Sequence, residues 1–332
     1  HVKWSYNERW TPPLTIDEIA GLALEDGVES RLVITHTGEV DDYELLTTGI
    51  DESLLTSLPN TDWTLLVQDV DKHVPGIRSL YTALRFIPDW LIDDVMVSVA
   101  APGGSVGPHT DSYDVFLLQG HGERSWQLGQ AGKRKANSEL RLLESAAWQQ
   151  HYLCEPTDVL YVPPGQAHHG VAKTLCSTWS IGFQAPLIGD IAAMVGTTSD
   201  TAELDTRYRY PLTGRDTIPG EIPLTLMDVL PIDGDRVELL IAFGILISQC
   251  KVGLRPDWQS LNDETELHSY TRIAYSDVDA DRHVFANGQH AAFDQAEAAN
   301  VRRLCADRRW HGSLQSPVYR WLSGIGAFTA ID

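Results

Sequence analysis

A histidine and an aspartate two positions apart, His109 and Asp111, are the residues whose types and spacing first suggest chemistry in this chain. They lie in the stretch from Ser98 to Gln119, which predicts a strand from His109 to Gln119. On a strand, residues i and i+2 point to the same side, so both side chains can reach one metal ion. An imidazole and a carboxylate so placed are two ligands of a 2-His-1-carboxylate facial triad. The third ligand must come from another part of the chain.

A later histidine pair, His168 and His169, is the best source of that third ligand. The pair follows an apolar strand, 158–162, and the turn Pro163–Gly165, where the next strand should begin. Because neighbouring residues on a strand face opposite sides, only one of the two histidines can face His109. A His-x-Asp pair alone recurs by chance, and two polar residues on a loop are the plain alternative. The distal histidine favours a metal site.

Composition and charge indicate an ordinary globular protein. The chain has 332 residues, which is long enough for two or three domains. Hydrophobic residues make up 43% of it and charged residues 21%. With 46 acidic and 25 basic residues, its net charge of −21 repels nucleic acid and attracts basic partners, although solubility alone is the plainer explanation. The four cysteines lack metal or redox spacing, so we expect reduced thiols.

Targeting signals are not evident in the sequence. The longest apolar run, Val237–Ile247, is too short to cross a bilayer, so we expect no membrane association. We recognise no signal peptide, although the chain begins at His1 rather than at a methionine. We therefore expect a cytoplasmic protein.

Apolar alternation predicts the strands that must position the candidate site. Those strands include Arg31–Thr35, Trp63–Gln68 and Asp93–Ala100. After the motif strand, Gly120–Glu123 predicts a hairpin loop that returns through 124–128. In the returning strand, Arg124 shares a side with Trp126 and Leu128, and that side faces either a pocket or solvent.

The strand-rich pattern stops near residue 187, and the second half differs in kind. The segment Arg236–Cys250 predicts a helix that is apolar nearly all round. We read it as a dimer helix in preference to a core helix of the monomer. From about Glu266, a hairpin centred on Asn287-Gly288 and helices near Asp294–Cys305 and Ser316 suggest a winged-helix-like module. It is not notably basic, so we expect a protein-contact module without direct DNA binding.

Four segments of the chain resemble the bacterial ribosomal oxygenases, which are Jumonji-C-type cupins. The segments are Trp63–Gln68, Val106–Phe116, Gln119–Gly120 and Glu155–Gly165. The similarity runs from about Pro13 to Pro186 and is strongest to members that hydroxylate an arginine of large-subunit ribosomal protein sixteen. Family members often carry an acidic residue where His169 stands.

The resemblance implies a mainly β fold, a double-stranded β-helix of the Jumonji-C/cupin jelly-roll type at 1–187. It also implies a helical dimerisation domain at 188–265 and a winged-helix-like domain at 266–332. By motif position the iron(II) ligands are His109, Asp111 and His168, which makes His169 a neighbour of the site. Arg124 matches the residue that binds the cosubstrate 2-oxoglutarate, and Ser98 matches its serine partner.

The implied activity is that of a dioxygenase. Three protein ligands leave iron positions for 2-oxoglutarate and O2, and the far carboxylate of the cosubstrate needs a fixed cation such as Arg124. We expect hydroxylation of the β-carbon of an arginine in a basic ribosomal protein, by a homodimer, with Asp114 as a candidate contact to that arginine.

Two other functions stay open at the level of sequence. The first is a histidyl hydroxylase that acts on another ribosomal protein. The second is a non-catalytic metal-binding cupin with a regulatory winged helix. A non-catalytic cupin has no reason to keep Arg124 together with Ser98, and the charge of −21 disfavours a nucleic-acid contact.

Overall fold

The computed structural model describes residues 3–5, 10–38, 42–136, 138–197, 204–210, 217–250 and 265–330. The chain forms two compact units. The first unit comprises 1–83 and 93–183, and the second comprises 84–92 and 184–332. The candidate metal-site residues all belong to the first unit.

The first unit is built mainly of β-strands. Its elements in chain order are β1 (Lys3–Ser5), α1 (Ile16–Leu22), β2 (Ser30–His36), β3 (Asp42–Leu46), α2 (Glu52–Ser57), β4 (Trp63–Val67), α3 (Val70–His73), β5 (Ile92–Ala100), β6 (Asp114–Gln119), β7 (Arg124–Ala131), β8 (Ala146–Cys154), β9 (Asp158–Val162), β10 (Ala167–Ala172) and β11 (Cys176–Phe183).

Two antiparallel sheets make up this unit. The larger sheet has the strand order β1-β9-β6-β11-β5-β4-β2-β3, and the smaller has the order β10-β7-β8. A buried apolar cluster joins strands of both sheets, with Val115 and Leu160 from the larger and Trp126 and Leu128 from the smaller. The unit is therefore a two-sheet jelly roll with its core between the sheets, which confirms the predicted mainly β fold.

The alternation predicted for β7 is present. Arg124, Trp126 and Leu128 are buried, whereas Ser125 and Gln127 are half-buried. Of the two sides left open for Arg124, pocket or solvent, the structure shows the interior, because the apolar side of a half-covered strand faces the core.

Two sequence predictions about the motif region are wrong. The motif strand begins at Asp114 instead of His109, which has only an isolated bridge to His168. The segment Gly120–Glu123 is not a hairpin loop, since β6 pairs with β9 and β11 while β7 pairs with β8 and β10. A short glycine-containing turn between two alternating strands is equally compatible with a hairpin and with a step from one sheet to the other. Here the turn makes that step, and it places Arg124 on the wall opposite Ser98.

The second unit combines helices with two small sheets. Its elements are α4 (Ile188–Met194), a 3-10 turn (Leu224–Val229), α5 (Arg236–Ser248), β12 (Thr265–Leu267), β13 (Ile273–Val278), β14 (Asp281–Ala286), β15 (Gln289–Asp294), α6 (Ala298–Asp307), α7 (Pro317–Gly324) and β16 (Phe328–Ala330), with further short 3-10 turns at Asp89–Leu91 and Gln295–Glu297. A ten-residue 3-10 segment, Pro75–Leu84, lies almost wholly in the first unit. The predicted Asn287-Gly288 hairpin is confirmed, with φ angles of 50° and 73° that suit a two-residue turn.

Helix α5 is largely buried within its own chain. Phe243 makes edge-to-face contacts with Trp90 at 5.5 Å and with Tyr208 at 5.4 Å between ring centroids. On another side, a Cβ at Gly244 would lie 2.5 Å from atoms of the Phe285 ring, so only glycine allows this close packing onto β14. Packing inside the unit therefore explains much of the all-round apolar character that suggested a dimer helix.

Candidate metal centre

The structure brings His109, Asp111 and His168 together. Oδ2 of Asp111 lies 3.4 Å from Nε2 of His168 and 3.9 Å from Nε2 of His109. One ligand atom from each of the three residues lies within 4.8 Å of the others. Among the described residues, this is the one group of three or more such side chains with that spacing. The two sequence segments that suggested a metal site thus meet at one point.

Both histidines are held in the tautomer that a metal requires. Nδ1 of His109 donates to the carbonyl of Gly107 at 2.9 Å, and Nδ1 of His168 donates to the carbonyl of Gln166 at 3.0 Å. A carbonyl oxygen can only accept, so the proton resides on Nδ1 in each ring. Each Nε2 therefore presents a lone pair toward Asp111, as in metal sites where the second ring nitrogen is fixed by a hydrogen bond.

Burial keeps the imidazole of His168 neutral. Its removal from water and the neighbouring His109 lower the pKa of His168 to about 4, although the charge of Asp111 opposes the shift. A neutral imidazole near pH 7 can bind a cation without first losing a proton.

Backbone pairing, in place of a continuous strand, fixes the ligand segment. His109 and His168 exchange two backbone hydrogen bonds of 3.0 Å each. The N–H of Gly165, in the Pro-Pro-Gly turn, donates to the carbonyl of Asp111 at 2.8 Å. The turn that drew attention in the sequence is therefore what clamps the Asp111 backbone beside β10.

Arg124 is a buried cation with unused donors. It is 3% exposed, and its Nη1 donates to Oγ of Ser98 at 3.4 Å. Its Nε and Nη2 have no hydrogen-bond partner in the described part of the chain. Leaving a buried donor unsatisfied costs about 1–3 kcal/mol, and more when the group is charged. The structure thus places the two predicted cosubstrate residues, Arg124 and Ser98, together and leaves two donors of Arg124 unsatisfied.

The register relates this cation to the metal centre. Arg124 pairs with Ala172 on β10, and His168 lies four residues before Ala172 on that strand. The side chains of His168, Ala172 and Arg124 therefore share one face of the sheet. Four residues of strand span about 13 Å. The side chains of Arg124 and His168 both lie on the interior face of this strand pair.

Asp114 does not face the site. It lies on the opposite side of β6 from Val115, whose side chain is in the core, and Tyr161 donates to its Oδ1 at 2.5 Å. The prediction of Asp114 as a contact to an arginine substrate is therefore wrong, because it assumed a strand that already included Asp111.

Asp94 is a buried carboxylate that the sequence analysis did not single out. It is buried on β5 and shares a strand face with Ser98, four residues later. Gly182 is its neighbour on β11, where a Cβ would lie 3.3 Å from Oδ1 of Asp94 and 3.4 Å from the ring of Tyr113. The same-side spacing from Asp94 to Ser98 was the available signal.

His169 faces away from the metal ligands, as the strand rule requires. Its Nε2 lies 3.3 Å from the hydroxyl of Tyr43, and its ring lies 6.2 Å from that of Trp148. Only His168 of the pair joins His109 and Asp111.

A jelly roll that carries this triad defines the class of the first unit. Residues 79–191 match the family model of the JmjC domain. The chain is 40% identical over 177 residues to the ribosomal protein uL16 3-hydroxylase of Escherichia coli, and 37% identical over 179 residues to a probable ribosomal oxygenase of Haemophilus influenzae. The resemblance to bacterial ribosomal oxygenases is thereby confirmed.

These alignments cover 52% of this chain in both cases, and 46% and 44% of the two relatives. The chain therefore matches about half the length of the curated relatives. Solved structures extend the likeness. The X-ray structure of E. coli YcfD matches with a TM-score of 0.72 at 27% identity, covering 99% of this chain and 94% of that one. YcfD in complex with cobalt and 2-oxoglutarate matches with a TM-score of 0.67 over the same shares.

Proposed function

We propose that this chain is an iron(II)- and 2-oxoglutarate-dependent ribosomal oxygenase that hydroxylates the β-carbon of an arginine in ribosomal protein uL16. The observation that carries the proposal is the triad of His109, Asp111 and His168 together with the unsatisfied guanidinium of Arg124 on the same strand pair, β7 and β10. The names of the two relatives and the cobalt and 2-oxoglutarate complex of YcfD support the reaction and the cosubstrate.

The donor set fits iron(II). Two neutral imidazole nitrogens and one carboxylate oxygen on one side are the facial triad of non-haem iron oxygenases, which leaves positions for other ligands. When bound, iron(II) with O2 and 2-oxoglutarate supplies the oxidation that inserts oxygen into a C–H bond, with succinate and carbon dioxide as coproducts. The protein contributes orientation, since Gly107 and Gln166 hold the two rings in place through their carbonyls.

The donors of Arg124 fit a carboxylate. A guanidinium presents parallel N–H groups that match two carboxylate oxygens, and its charge persists at every physiological pH. Ser98 lies beside it and can add a hydroxyl. We assign 2-oxoglutarate to this position, with its far carboxylate at Arg124 and its other end at the triad.

Charge supports an arginine-bearing basic protein as the substrate. The chain carries a net charge of −21, which steers basic partners by long-range attraction. Asp94 is a buried carboxylate on the same face of β5 as Ser98, beside Gly182, and we propose that it binds the guanidinium of a substrate arginine.

Replacing Asp94 should separate substrate binding from cosubstrate binding. We expect Asp94→Asn to raise KM for a uL16 peptide at least about tenfold, because a charge-assisted hydrogen bond to a buried cation is lost. The KM for 2-oxoglutarate should stay the same. Asp114→Asn is the matched control, since its carboxylate points out of the cavity. Equal effects of both variants in steady-state assays would remove Asp94 from the substrate site.

We further propose that the protein is a homodimer joined through the helical segment at 188–265. Val237, Ile241 and Ile245 form a half-buried stripe on α5 at i, i+4 and i+8. Two large apolar residues on elements that pack against α5, Met194 and Val229, are 45% and 62% exposed. An apolar surface of this kind usually marks an interface.

Light scattering tests the dimer. The wild-type chain should run as a dimer at micromolar concentration, and Ile241→Glu should shift it to monomer by burying an unpaired charge at the interface. Leu175→Glu, which changes an exposed leucine of the first unit, is the control. A monomeric wild-type protein would refute the proposal.

For the C-terminal part we propose a winged-helix-like domain at 266–332 that contacts protein rather than DNA. The core formed by residues between Leu267 and Phe328 packs β13 and β14 against α6 and α7, which supports a separate domain.

In the described part of the chain no helix is long and apolar enough to cross a membrane. Ribosomes are the target, so we place the activity in the cytoplasm.

Mass spectrometry of ribosomal proteins from the host tests the proposed function. Cells with the gene should contain uL16 with one extra oxygen on an arginine, and cells without it should not. An oxygen that instead appears on a histidine of another ribosomal protein would support the alternative hydroxylase. Identical ribosomal proteins in both strains would contradict the oxygenase proposal.

A further inference from the structure

The interior face of β7 carries a third unsatisfied donor besides the two of Arg124. Trp126 lies two residues after Arg124 on the interior side of β7 and is 5% exposed. Its indole Nε1 is buried without a hydrogen-bond partner in the described part of the chain. Buried donors are normally satisfied, so a group of them at one site indicates an absent acceptor.

Trp126 lies between Arg124 and His168 on the strand pair β7 and β10. The guanidinium carbon of Arg124 is 5.7 Å from the centroid of the Trp126 ring. On the other side, the ring centroid of His168 is 6.1 Å away. A ligand that reaches from Arg124 to the triad must pass this indole.

Gly170 fixes how the indole is turned. It faces Trp126 across the β7–β10 register, where a Cβ would lie 2.6 Å from Cη2 and Cζ3 and 2.8 Å from Cε3. The six-membered ring of Trp126 therefore rests directly on the Gly170 backbone, and no larger residue would fit there. Since Nε1 is on the opposite edge of the indole, the N–H points away from β10.

We propose that the indole N–H of Trp126 donates to the carboxylate of 2-oxoglutarate that Arg124 binds. All three unsatisfied atoms are donors, and a carboxylate has enough lone pairs for them and for Ser98. This inference rests on the proposed function, because it assumes 2-oxoglutarate as the cosubstrate. It adds to that function a neutral donor that fixes the position of the carboxylate beside the guanidinium.

Calorimetry with zinc(II) in the triad tests the binding role without turnover. Titration of 2-oxoglutarate should give a Kd about tenfold higher for Trp126→Phe, which keeps an aromatic ring and loses the N–H. Trp179→Phe is the matched control. Trp179 is also fully buried with an unsatisfied Nε1. It lies on β11, on the face opposite to that of Gly182, and its ring contacts Trp10. Equal losses in the two variants would overturn the inference.

An NMR measurement on the wild-type protein does not depend on the variant folding. The indole N–H signal of Trp126 should move downfield when 2-oxoglutarate is added to the zinc-loaded chain. The signal is assigned as the one lost in Trp126→Phe, or as the indole signal most broadened by manganese(II) in the triad. An unmoved Trp126 signal with 2-oxoglutarate bound would refute the inference alone. Absence of 2-oxoglutarate binding to the wild type would instead refute the proposed cosubstrate.

Discussion

Asp111→Ala should abolish metal binding and turnover while leaving the fold intact. The substitution removes the only carboxylate of the triad, and with it the negative charge that faces the two imidazoles at 3.4 and 3.9 Å. The remaining two neutral nitrogens make a weak site for iron(II). The Asp111 side chain is 26% exposed and belongs to no strand, so its loss creates no core cavity.

Metal binding and stability must be measured separately to interpret this variant. Calorimetric titration with manganese(II) should show no binding for Asp111→Ala, whereas thermal unfolding of the metal-free protein should stay within a few degrees of wild type. Asp114→Asn is the control, because its carboxylate is bonded to Tyr161 outside the cavity. Wild-type affinity for manganese(II) in Asp111→Ala would remove this residue from the metal centre.

Arg124→Met should have the second large effect, a loss of 2-oxoglutarate affinity with metal binding retained. Methionine preserves much of the side-chain volume but leaves the far carboxylate of the cosubstrate buried without a cation. Removing one partner of a buried charge pair costs about 2–5 kcal/mol, which lowers affinity by at least about 30-fold. The residue is four register positions from His168, so the metal ligands should be unaffected.

Titration of 2-oxoglutarate into the manganese-loaded variant measures this effect. Arg31→Met provides the control, since Arg31 is exposed and pairs with Glu29 at the surface. An unchanged affinity in Arg124→Met would mean that the unsatisfied guanidinium serves another ligand, and it would count against 2-oxoglutarate as the cosubstrate.

The residues of the site were predictable from sequence, but the way the chain holds them was not. His109, Asp111 and His168 were found from the two motifs. The His-x-Asp spacing and the Pro-Pro-Gly turn before β10 are local features that the sequence shows directly. The prediction that the motif strand begins at His109 was wrong. The segment alternates as a strand does, but His109 is held only by an isolated bridge to His168. Pairing between distant segments decides such boundaries.

Long-range packing also explains the wrong hairpin prediction and what local sequence left undecided elsewhere. The step from β6 to β7 leads from one sheet to the other, and local turn chemistry does not record which sheet follows. The apolar pattern of α5 suits both a dimer contact and a core helix, and it does not record that Trp90 and Phe285 from distant parts of the chain pack on this helix. Asp94 was not singled out, because its neighbour Gly182 on β11 is 88 residues away in sequence (182 − 94 = 88).

The most direct test of the account is to incubate the purified chain with an arginine-containing uL16 peptide, iron(II), 2-oxoglutarate, O2 and ascorbate. We predict that mass spectrometry will show one oxygen atom added to the β-carbon of the arginine, with succinate formed in equal amount, and neither product with Asp111→Ala. An oxygen on a histidine of another ribosomal protein, or no oxygen on either substrate while the wild-type chain binds metal and 2-oxoglutarate, would contradict the account.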